Sequence, residues 1–354
     1  MIDKVLFLST PVGPLGSGSG GGVELTLYNL ARALEERGIQ VTTIAPENSV
    51  LDGLPLETVP GTPQVSAQNT GREAPIELPP DSVLANMWER ARQIQRDHDL
   101  IVNFAYDWLP LYLTPFFERP VAHLIGMASL AEAIDRALQD IHARFPRSIA
   151  FHTVAQAETF PLPAPYRCLG NGIDLSRYRF RENPSAALAW VGRIAPEKAL
   201  EDAIEACDRA GVPLRVFGYI PDRAYWEKLL TKYPNANLDY RGFLPTDRLQ
   251  AELGDCRGLV MTPRWVEAFG NVAIEALACG VPVISYRRGG PAEIIEDGKT
   301  GFLVEPDSIG GLVRAIDSLD RIARRDCRER AEREYSREAF GDRVLDWFTE
   351  ILDA

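Results

Sequence analysis

Two carboxylates, Glu267 and Glu275, lie on either side of a predicted helix start. Residues 271–278 are rich in helix-forming side chains and Gly280 follows them, which is typical of a helix that ends at a left-handed glycine. Glu267 therefore lies on the loop before the helix, and Glu275 about one turn inside it. The alternative interpretation is a surface helix that carries two acidic residues by chance.

A helix start of this kind attracts phosphate, because its first backbone N–H groups have no partner within the helix and lie at the positive end of the helix dipole. Carboxylates on either side of a bound diphosphate would accept hydrogen bonds from sugar hydroxyls. The segment therefore predicts a nucleotide-sugar site, with N–H groups from Phe269, Gly270, Asn271 and Val272.

A second segment supplies positive charge. After an apolar run at residues 187–191, the chain reads G-R-I-A-P-E-K over residues 192–198. When a sugar–diphosphate bond breaks, negative charge develops on the leaving oxygen, and fixed cations beside it stabilise that charge. We expect Arg193 and Lys198 in this role. A surface ion pair between Arg193 and Glu197 is the alternative.

The elements that must position these residues alternate in type. An apolar run at residues 4–9 precedes a glycine-rich loop at 13–22, a segment with helical spacing at 23–37 and a strand-like run at 41–45. This succession opens a doubly wound α/β domain. Glycines before a helix let a ligand approach the backbone, although a flexible connection is the alternative. The loop fits the dinucleotide fingerprint poorly, since Val23 stands where glycine is needed.

Composition narrows the class of protein. A chain of 354 residues with 45% hydrophobic and 25% charged residues predicts two globular domains. The formal charge of −12 disfavours nucleic acid and anionic membranes as partners. The N-terminus begins with a strand-like run and has no signal-peptide pattern. Five scattered cysteines are typical of reduced thiols in a cytoplasm and suggest no metal site: Cys168, Cys207, Cys256, Cys279 and Cys327.

The run E-A-F-G-N-V-A-I-E at residues 267–275 resembles the E-x-F-G-x-x-x-x-E motif of the retaining glycosyltransferases of family GT4, which have the GT-B fold. Residues 192–198 are similar to the G-R-x-x-x-E-K motif of that family, and residues 171–174 to its N-G-x-D crossing between domains. The resemblance implies an α/β protein with two Rossmann-like, doubly wound domains that face each other across a cleft.

The resemblance also implies the extent of each domain. We expect an N-terminal acceptor-binding domain at residues 1–167 and a C-terminal nucleotide-sugar domain at 168–337. The last helix, at 338–354, would pack back on the first domain.

Roles for the donor site follow from the motifs. Glu275 would bind the ribose hydroxyls, and Glu267 would bind a sugar hydroxyl and orient the anomeric carbon. Arg193 and Lys198 would neutralise the leaving diphosphate, so Glu267, Arg193 and Lys198 are the expected catalytic residues. The resemblance also implies that Gly21 and Gly22 of the first glycine loop contact the donor. It implies that Gly242 and Phe243 bind the nucleobase.

The implied reaction transfers a sugar with retained configuration and without an obligatory metal ion or cofactor. No Asp/Glu pair resembles the two carboxylates of a retaining glycoside hydrolase. The diphosphate itself would then help to deprotonate the acceptor, and catalysis would depend on positioning and charge stabilisation.

The N-terminal segments at residues 9–31, 103–117 and 123–130 are similar to those of the cyanobacterial UDP-glucose:tetrahydrobiopterin glucosyltransferases. This similarity implies UDP-glucose as the donor and a reduced pterin as the soluble acceptor, whose flat ring could stack on an aromatic side chain. The expected acceptor-binding residues are Glu24, Tyr106, Asp107, Trp108, His123 and Met127. His123 lies within a predicted strand, where a core role is the alternative.

Other functions stay open at this point. A nucleotide-sugar epimerase with the GT-B fold would need further acid/base residues. A non-enzymatic, two-domain sugar-binding protein would have aromatic platforms and no cationic grip on a diphosphate. A dinucleotide-dependent oxidoreductase ranks below both, because the first glycine loop departs from the required pattern.

Overall fold

The computed structural model describes residues 2–18 and 20–353. The chain forms two compact units: residues up to Gly172 together with those from Arg337 onward make the first, and Ile173–Ser336 make the second. The boundary between the units, at Gly172 and Ile173, therefore lies a few residues beyond the predicted boundary between residues 167 and 168. The helix that begins at Arg337 belongs to the first unit.

The first unit is built on parallel strands: β1 (Lys4–Leu8), β2 (Gln40–Pro46), β3 (Leu56–Val59), β4 (Leu100–Asn103), β5 (Val121–Ile125) and β6 (Ile149–Phe151). Their order in the sheet is β3-β2-β1-β4-β5-β6. Along β1, Val5 and Phe7 pack into one core cluster while Leu6 and Leu8 pack into another. Both faces of the sheet are therefore covered, which is why its strands are apolar runs without polar alternation.

Helices of the first unit cover these two faces: α1 (Gly22–Glu35), α2 (Val83–Ile94), α3 (Trp108–Leu113), α4 (Glu132–Arg144), α5 (Val154–Ala157) and α13 (Arg337–Leu352). Short 3₁₀ turns lie at Ala67–Asn69, Gln95–Asp97 and Thr114–Phe116. The last helix, α13, buries Phe340, Trp347 and Phe348 in the same cluster as Leu27 and Leu30 of α1. These large apolar side chains attach the C-terminal helix to the first unit.

The second unit repeats the plan with β7 (Leu188–Val191), β8 (Leu214–Phe217), β9 (Leu238–Gly242), β10 (Gly258–Met261), β11 (Val283–Tyr286) and β12 (Gly301–Val304), ordered β12-β11-β10-β7-β8-β9. Its helices are α6 (Leu200–Ala210), α7 (Arg223–Lys232), α8 (Thr246–Gly254), α9 (Asn271–Ala278), α10 (Pro291–Ile294), α11 (Ile309–Asp317) and α12 (Arg324–Glu334). Single 3₁₀ turns occupy Leu175–Arg177, Pro196–Lys198 and Leu319–Arg321.

Counted within its own unit, each sheet has the strand order 3-2-1-4-5-6, which is that of the doubly wound nucleotide-binding fold. The prediction of an α/β protein with two Rossmann-like domains is confirmed. In this topology the chain reverses its winding between the first and fourth strands, so the loops after them leave room for a ligand at the carboxyl ends. In the second unit these strands are β7 and β10.

Within residues 2–18 and 20–353, no helix is both long and apolar enough to cross a lipid bilayer.

Candidate functional site

Helix α9 carries Glu275 in the middle of a core. Ala273, Ile274, Ala276 and Leu277 around it are fully buried, and only 7% of Glu275 is exposed. A carboxylate loses its hydration when it is buried, so an acidic residue in such a helix is costly unless it has partners. This makes Glu275 the most unusual residue of the segment.

The partner of Glu275 is Tyr178, whose hydroxyl donates a 2.8 Å hydrogen bond to Oε1. Burial raises the pKa of Glu275 to about 7, although the Tyr178 bond and the nearby charge of Arg177 oppose this shift. Its other oxygen, Oε2, receives no hydrogen bond from the residues that the structure describes. Glu275 is thus a carboxylate near its titration point with one oxygen available to a ligand.

The loop between β10 and α9 carries Glu267, and close backbone contacts hold it. The Gly290 N–H donates to the Glu267 carbonyl oxygen at 2.7 Å. A Cβ at Gly290 would lie 2.2 Å from the Phe269 carbonyl oxygen, and one at Gly289 would lie 2.6 Å from the Glu267 nitrogen. Only glycines permit this approach. The glycine turn after β11 therefore fixes the backbone at Glu267.

Helix α9 begins at Asn271, after Gly270 in a left-handed conformation with φ 104°. The glycine conformation turns the chain into the helix without steric cost. The structure thus places Phe269, Gly270, Asn271 and Val272 at the start of α9, where the helix dipole is positive.

The two predicted cations converge on carboxylates. Arg193 forms an ion pair with Glu197, and Lys198 forms one with Glu267. All four side chains are half-buried. The second pair joins the loop after β7 to the loop after β10, because these two strands are neighbours in the sheet. The ion pair of Arg193 with Glu197, which the sequence offered as the alternative, is present.

A buried threonine, Thr262, forms hydrogen bonds with the backbone of the loop after β7. The Thr262 hydroxyl donates to the backbone oxygens of Lys198 at 3.0 Å and Ala199 at 2.8 Å, and it accepts from Trp190 Nε1 at 3.3 Å. Ala199 has a left-handed backbone (φ 46°, ψ 54°), which is unfavourable for a residue with a Cβ. The hydrogen bonds of Thr262 stabilise this conformation and so fix the position of the Lys198 backbone.

Gly242 and Phe243, predicted to seat the base, lie at the end of β9. The Gly242 carbonyl oxygen accepts from the Gly218 N–H at 2.9 Å, and Gly242 has φ 72°. Phe243 is 66% exposed. Its ring is therefore accessible for stacking, as the prediction requires.

In the first unit, Glu24 organises the glycine-rich loop. Its Oε1 accepts from the Gly20 N–H at 2.7 Å, and its Oε2 accepts from the N–H groups of Gly16 at 2.8 Å and Gly18 at 3.3 Å. Gly21 is the N-cap of α1, with φ 55°, and Gly22 is its first residue. The loop thus folds around a carboxylate of its own chain, and the predicted contact of Glu24 with an acceptor stays a prediction.

The side chains of Tyr106 and Asp107 both accept hydrogen bonds within the first unit. The Tyr106 hydroxyl accepts from the Leu130 N–H at 2.9 Å, and burial raises the pKa of Tyr106 to about 12. Asp107 is the N-cap of α3 and also accepts from Gln64 Nε2 at 3.2 Å. Burial raises the pKa of the Asp107 carboxyl, against these hydrogen bonds.

Trp108 begins α3 and stacks on Tyr112, with ring centroids 4.6 Å apart. With Phe116, the two rings line a groove of about 360 Å³ between α3 and α4. Tyr112 and Phe116 are exposed. Trp108 is thus a predicted acceptor residue that lines a groove.

His123 lies inside β5 and is fully buried. Asn103 Nδ2 is 3.2 Å from its Nδ1, and Thr114 Oγ1 is 2.8 Å from its Nε2. Burial lowers the pKa of His123 to about 3, so the ring is neutral at ordinary pH. The predicted contact of His123 with an acceptor is therefore corrected, because both ring nitrogens are partnered within the core and no surface reaches a ligand.

Met127 follows β5 and is half-buried. Gln156 Nε2 donates to the carbonyl oxygens of Ile125 at 2.6 Å and Met127 at 2.8 Å. The backbone at Met127 is thus fixed by a buried side chain of α5.

Tyr178 and Trp265 belong to the site although no sequence motif predicts them. Trp265 Nε1 donates to Glu267 Oε2 at 3.0 Å, and its ring lies 4.7 Å from Lys198 Nζ. Its position two residues before Glu267 was the available signal, since an indole can contact both a carboxylate and a cation. Tyr178 had no such signal, because its partner lies far along the chain.

Within the described part of the chain, no group of three or more His, Cys, Asp or Glu side chains is arranged to hold a metal ion.

The chain is similar to known glycosyltransferases. Residues 177–334 match the family model of the glycosyl transferases group 1. The D-inositol 3-phosphate glycosyltransferase of Rhodococcus erythropolis is 28% identical over 371 aligned residues, covering 89% of this chain and 83% of the relative. A glycogen synthase of Mycobacterium tuberculosis is 34% identical over 181 residues, covering 46% of this chain and 42% of its own.

Among solved structures, Anabaena Alr3699/HepE in complex with UDP and glucose superposes with a TM-score of 0.77 at 18% identity, covering 98% of this chain and all of the other. This likeness concerns the fold. The family match spans the second unit, where Arg193, Lys198, Glu267 and Glu275 lie. The second unit, which holds these residues, therefore matches the glycosyl transferases group 1, and the chain as a whole has a GT-B-like fold.

Proposed function

We propose that the chain is a retaining glycosyltransferase that transfers glucose from UDP-glucose to a small acceptor, and that this acceptor is tetrahydrobiopterin. One observation carries the donor part of the proposal. Arg193, Lys198 and Glu267 converge at the carboxyl ends of β7 and β10, where a doubly wound sheet binds its ligand.

The diphosphate binds to Arg193 and Lys198. Each of these cations is paired with a carboxylate, so a diphosphate replaces Glu197 and Glu267 as their partner. Charge-assisted hydrogen bonds to phosphate oxygens compensate for the two ion pairs that are lost. Released from Lys198, the Glu267 carboxylate accepts a hydroxyl of the donor sugar.

Glu275 binds the ribose. Tyr178 holds Oε1, so Oε2 accepts from the ribose hydroxyls. Phe243, exposed at the end of β9, stacks on the base. These contacts position the donor without taking part in bond breaking.

In the reaction, the bond between the anomeric carbon and the diphosphate oxygen breaks, and the electron pair leaves with the diphosphate. The acceptor oxygen forms the new bond on the same face, and its proton passes to the leaving phosphate oxygen. Arg193 and Lys198 stabilise the charge that develops on the leaving group. In this scheme they take the part that a metal ion plays elsewhere, so chelation with EDTA should leave the rate unchanged.

The choice of UDP-glucose is supported by the Anabaena protein of the same fold, which has been solved with UDP and glucose. The choice of a pterin depends on the similarity of the N-terminal segments. The stacked rings of Trp108 and Tyr112 in the first unit offer a flat surface to such an acceptor. Neither the epimerase nor the non-enzymatic alternative is favoured, because the relatives are transferases and a synthase.

The test begins with calorimetric titration of UDP, GDP and ADP into the wild-type protein and into Glu275→Ala and Arg193→Ala. Arg325→Ala and Glu329→Ala are matched controls, since they remove an Arg and a Glu from an exposed pair on α12. We expect UDP to bind best, both site variants to lose binding and both controls to keep it.

Product formation is then followed by mass spectrometry with UDP-glucose and tetrahydrobiopterin, and the anomeric configuration by NMR coupling constants. A preference for GDP or ADP would overturn the donor and the pterin assignment. An inverted product would overturn the retaining reaction. Absence of any nucleotide binding would contradict the donor site itself.

A further inference from the structure

Trp265 contacts both members of the Lys198–Glu267 ion pair, each with a different part of its indole. The N–H edge donates to Glu267 Oε2 at 3.0 Å, while the ring face lies 4.7 Å from Lys198 Nζ. An indole is suited to this double contact, because its edge is a hydrogen-bond donor and its face attracts cations.

The two contacts on Glu267 converge on one oxygen. Both the Lys198 ammonium and the Trp265 N–H meet Oε2, and Oε1 receives no hydrogen bond from residues 2–18 or 20–353. When a diphosphate takes Lys198, Glu267 loses its counter-ion while it is still half-buried. An uncompensated carboxylate in such a place is unfavourable and free to rotate, unless another donor holds it.

The loop that carries Trp265 has anchors that are independent of the Lys198 side chain. Arg264, the preceding residue, pairs with Glu201 at 2.7 Å and Asp202 at 2.8 Å on the first turn of α6. These bonds fix the backbone on one side of Trp265.

On the other side, the Glu267 carbonyl oxygen accepts from the Gly290 N–H at 2.7 Å. At the start of the loop, Arg288 Nη1 donates to the Pro263 carbonyl oxygen at 2.9 Å. The indole and the carboxylate therefore keep their places when Lys198 moves to a phosphate.

We propose that Trp265 is a positioning residue, which holds Glu267 Oε2 after the diphosphate has drawn Lys198 away and so turns Oε1 toward the hydroxyl of the donor sugar. This inference rests on the proposed function. Its consequence is selectivity for an intact nucleotide sugar over a nucleoside diphosphate, because the orientation of Glu267 matters only when a sugar is present.

Trp265→Phe is the sharpest variant, since it keeps a ring face for Lys198 and removes the N–H. We expect calorimetry to give an unchanged affinity for UDP, within about twofold, and an affinity for UDP-glucose that is about tenfold weaker, as for loss of one hydrogen bond to a charged group. The kcat should fall by a similar factor.

Trp226→Phe on α7 is the matched control, because its indole N–H makes no hydrogen bond to another described residue; it should change neither affinity. Equal losses for UDP and UDP-glucose in Trp265→Phe would overturn the proposal, since Trp265 would then act through Lys198 or the fold of the loop. Unchanged binding and turnover would also overturn it. If wild-type protein binds neither compound, the proposed function fails instead.

A second measurement does not depend on the variant being folded. The chain has six tryptophans, so the indole N–H resonances of ¹⁵N-labelled wild-type protein are few enough to assign. We expect the Trp265 resonance to stay at a hydrogen-bonded position when UDP saturates the protein. Movement to the position of a free indole would mean that Glu267 leaves with Lys198, and would overturn the proposal.

Discussion

Tyr178 and Glu275 are joined by a 2.8 Å hydrogen bond although they lie 97 residues apart in the chain. Tyr178 follows the short turn Leu175–Arg177 near the start of the second unit, and Glu275 lies in α9. Both side chains are buried. Tyr178 thus orients the Glu275 carboxylate. Its hydrogen bond lowers the pKa of Glu275, whereas burial raises it. Several properties of the donor site depend on this pair.

Tyr178→Phe should weaken UDP binding, and more at pH 7 than at pH 8.5. The hydroxyl stabilises the ionised form of Glu275, so its removal raises the pKa of Glu275 beyond about 7 and leaves more of it protonated at neutral pH. We expect about a tenfold loss at pH 7, as for a hydrogen bond to a charged group. Calorimetry at both pH values checks this. Tyr166→Phe, which removes a 3.1 Å hydroxyl bond to Leu162 in the first unit, is the control. An equal loss at both pH values would contradict the titration of Glu275.

Glu275→Gln should flatten the pH dependence of stability. The pKa of Glu275 is raised by folding, from an ordinary 4.5 to about 7, so the native state binds the proton more tightly than the unfolded state does. The free energy of unfolding therefore decreases as pH rises between these values, by on the order of 3 kcal/mol. The glutamine amide of the variant cannot ionise, so its free energy of unfolding does not show this decrease. Denaturant unfolding at pH 5 and pH 8 measures the difference, and identical pH dependence in wild type and variant would contradict it.

Gly290→Ala should abolish binding of UDP-glucose and destabilise the second unit by several kcal/mol, because the new Cβ would lie 2.2 Å from the Phe269 carbonyl oxygen. The loop with Glu267 would have to move. Gly310→Ala is the matched control, since its Cβ has only an ordinary contact within α11 and a helical alanine is favoured by about 1 kcal/mol. Thermal unfolding and calorimetry should show opposite effects on stability and loss of binding in Gly290→Ala alone.

His123→Ala should reduce stability and leave catalysis nearly unchanged. It opens a cavity in a closed core and leaves Asn103 and Thr114 without their partner, at a cost of about 2–4 kcal/mol. The kcat and KM of the folded variant should stay within about threefold of wild type. A loss of more than a hundredfold in kcat with an intact fold would mean that His123 reaches the substrate.

Several features of this protein were determined by the sequence itself. The helix start after Glu267 and the position of Glu275 within the helix follow from local rules. Helix-forming side chains, a left-handed glycine stop and short β-branched runs act over a few residues and depend little on the rest of the chain. The alternation of strands and helices predicted the first doubly wound domain for the same reason, whereas the second was implied by the resemblance to family GT4.

Tertiary structure alone decided which side chains meet. Lys198 pairs with Glu267 because the sheet places β7 beside β10, and strand order is a property of the whole unit. The partner of Glu275, Tyr178, belongs to no local pattern. For Glu24, the resemblance implied a contact with the acceptor, and the structure adds that its carboxylate accepts hydrogen bonds from N–H groups of the preceding glycine-rich loop. Residue types predict which chemistry is available at this site. Which groups are engaged and which are left for a ligand is decided by packing, because burial and hydrogen bonding depend on neighbours that are distant in the chain.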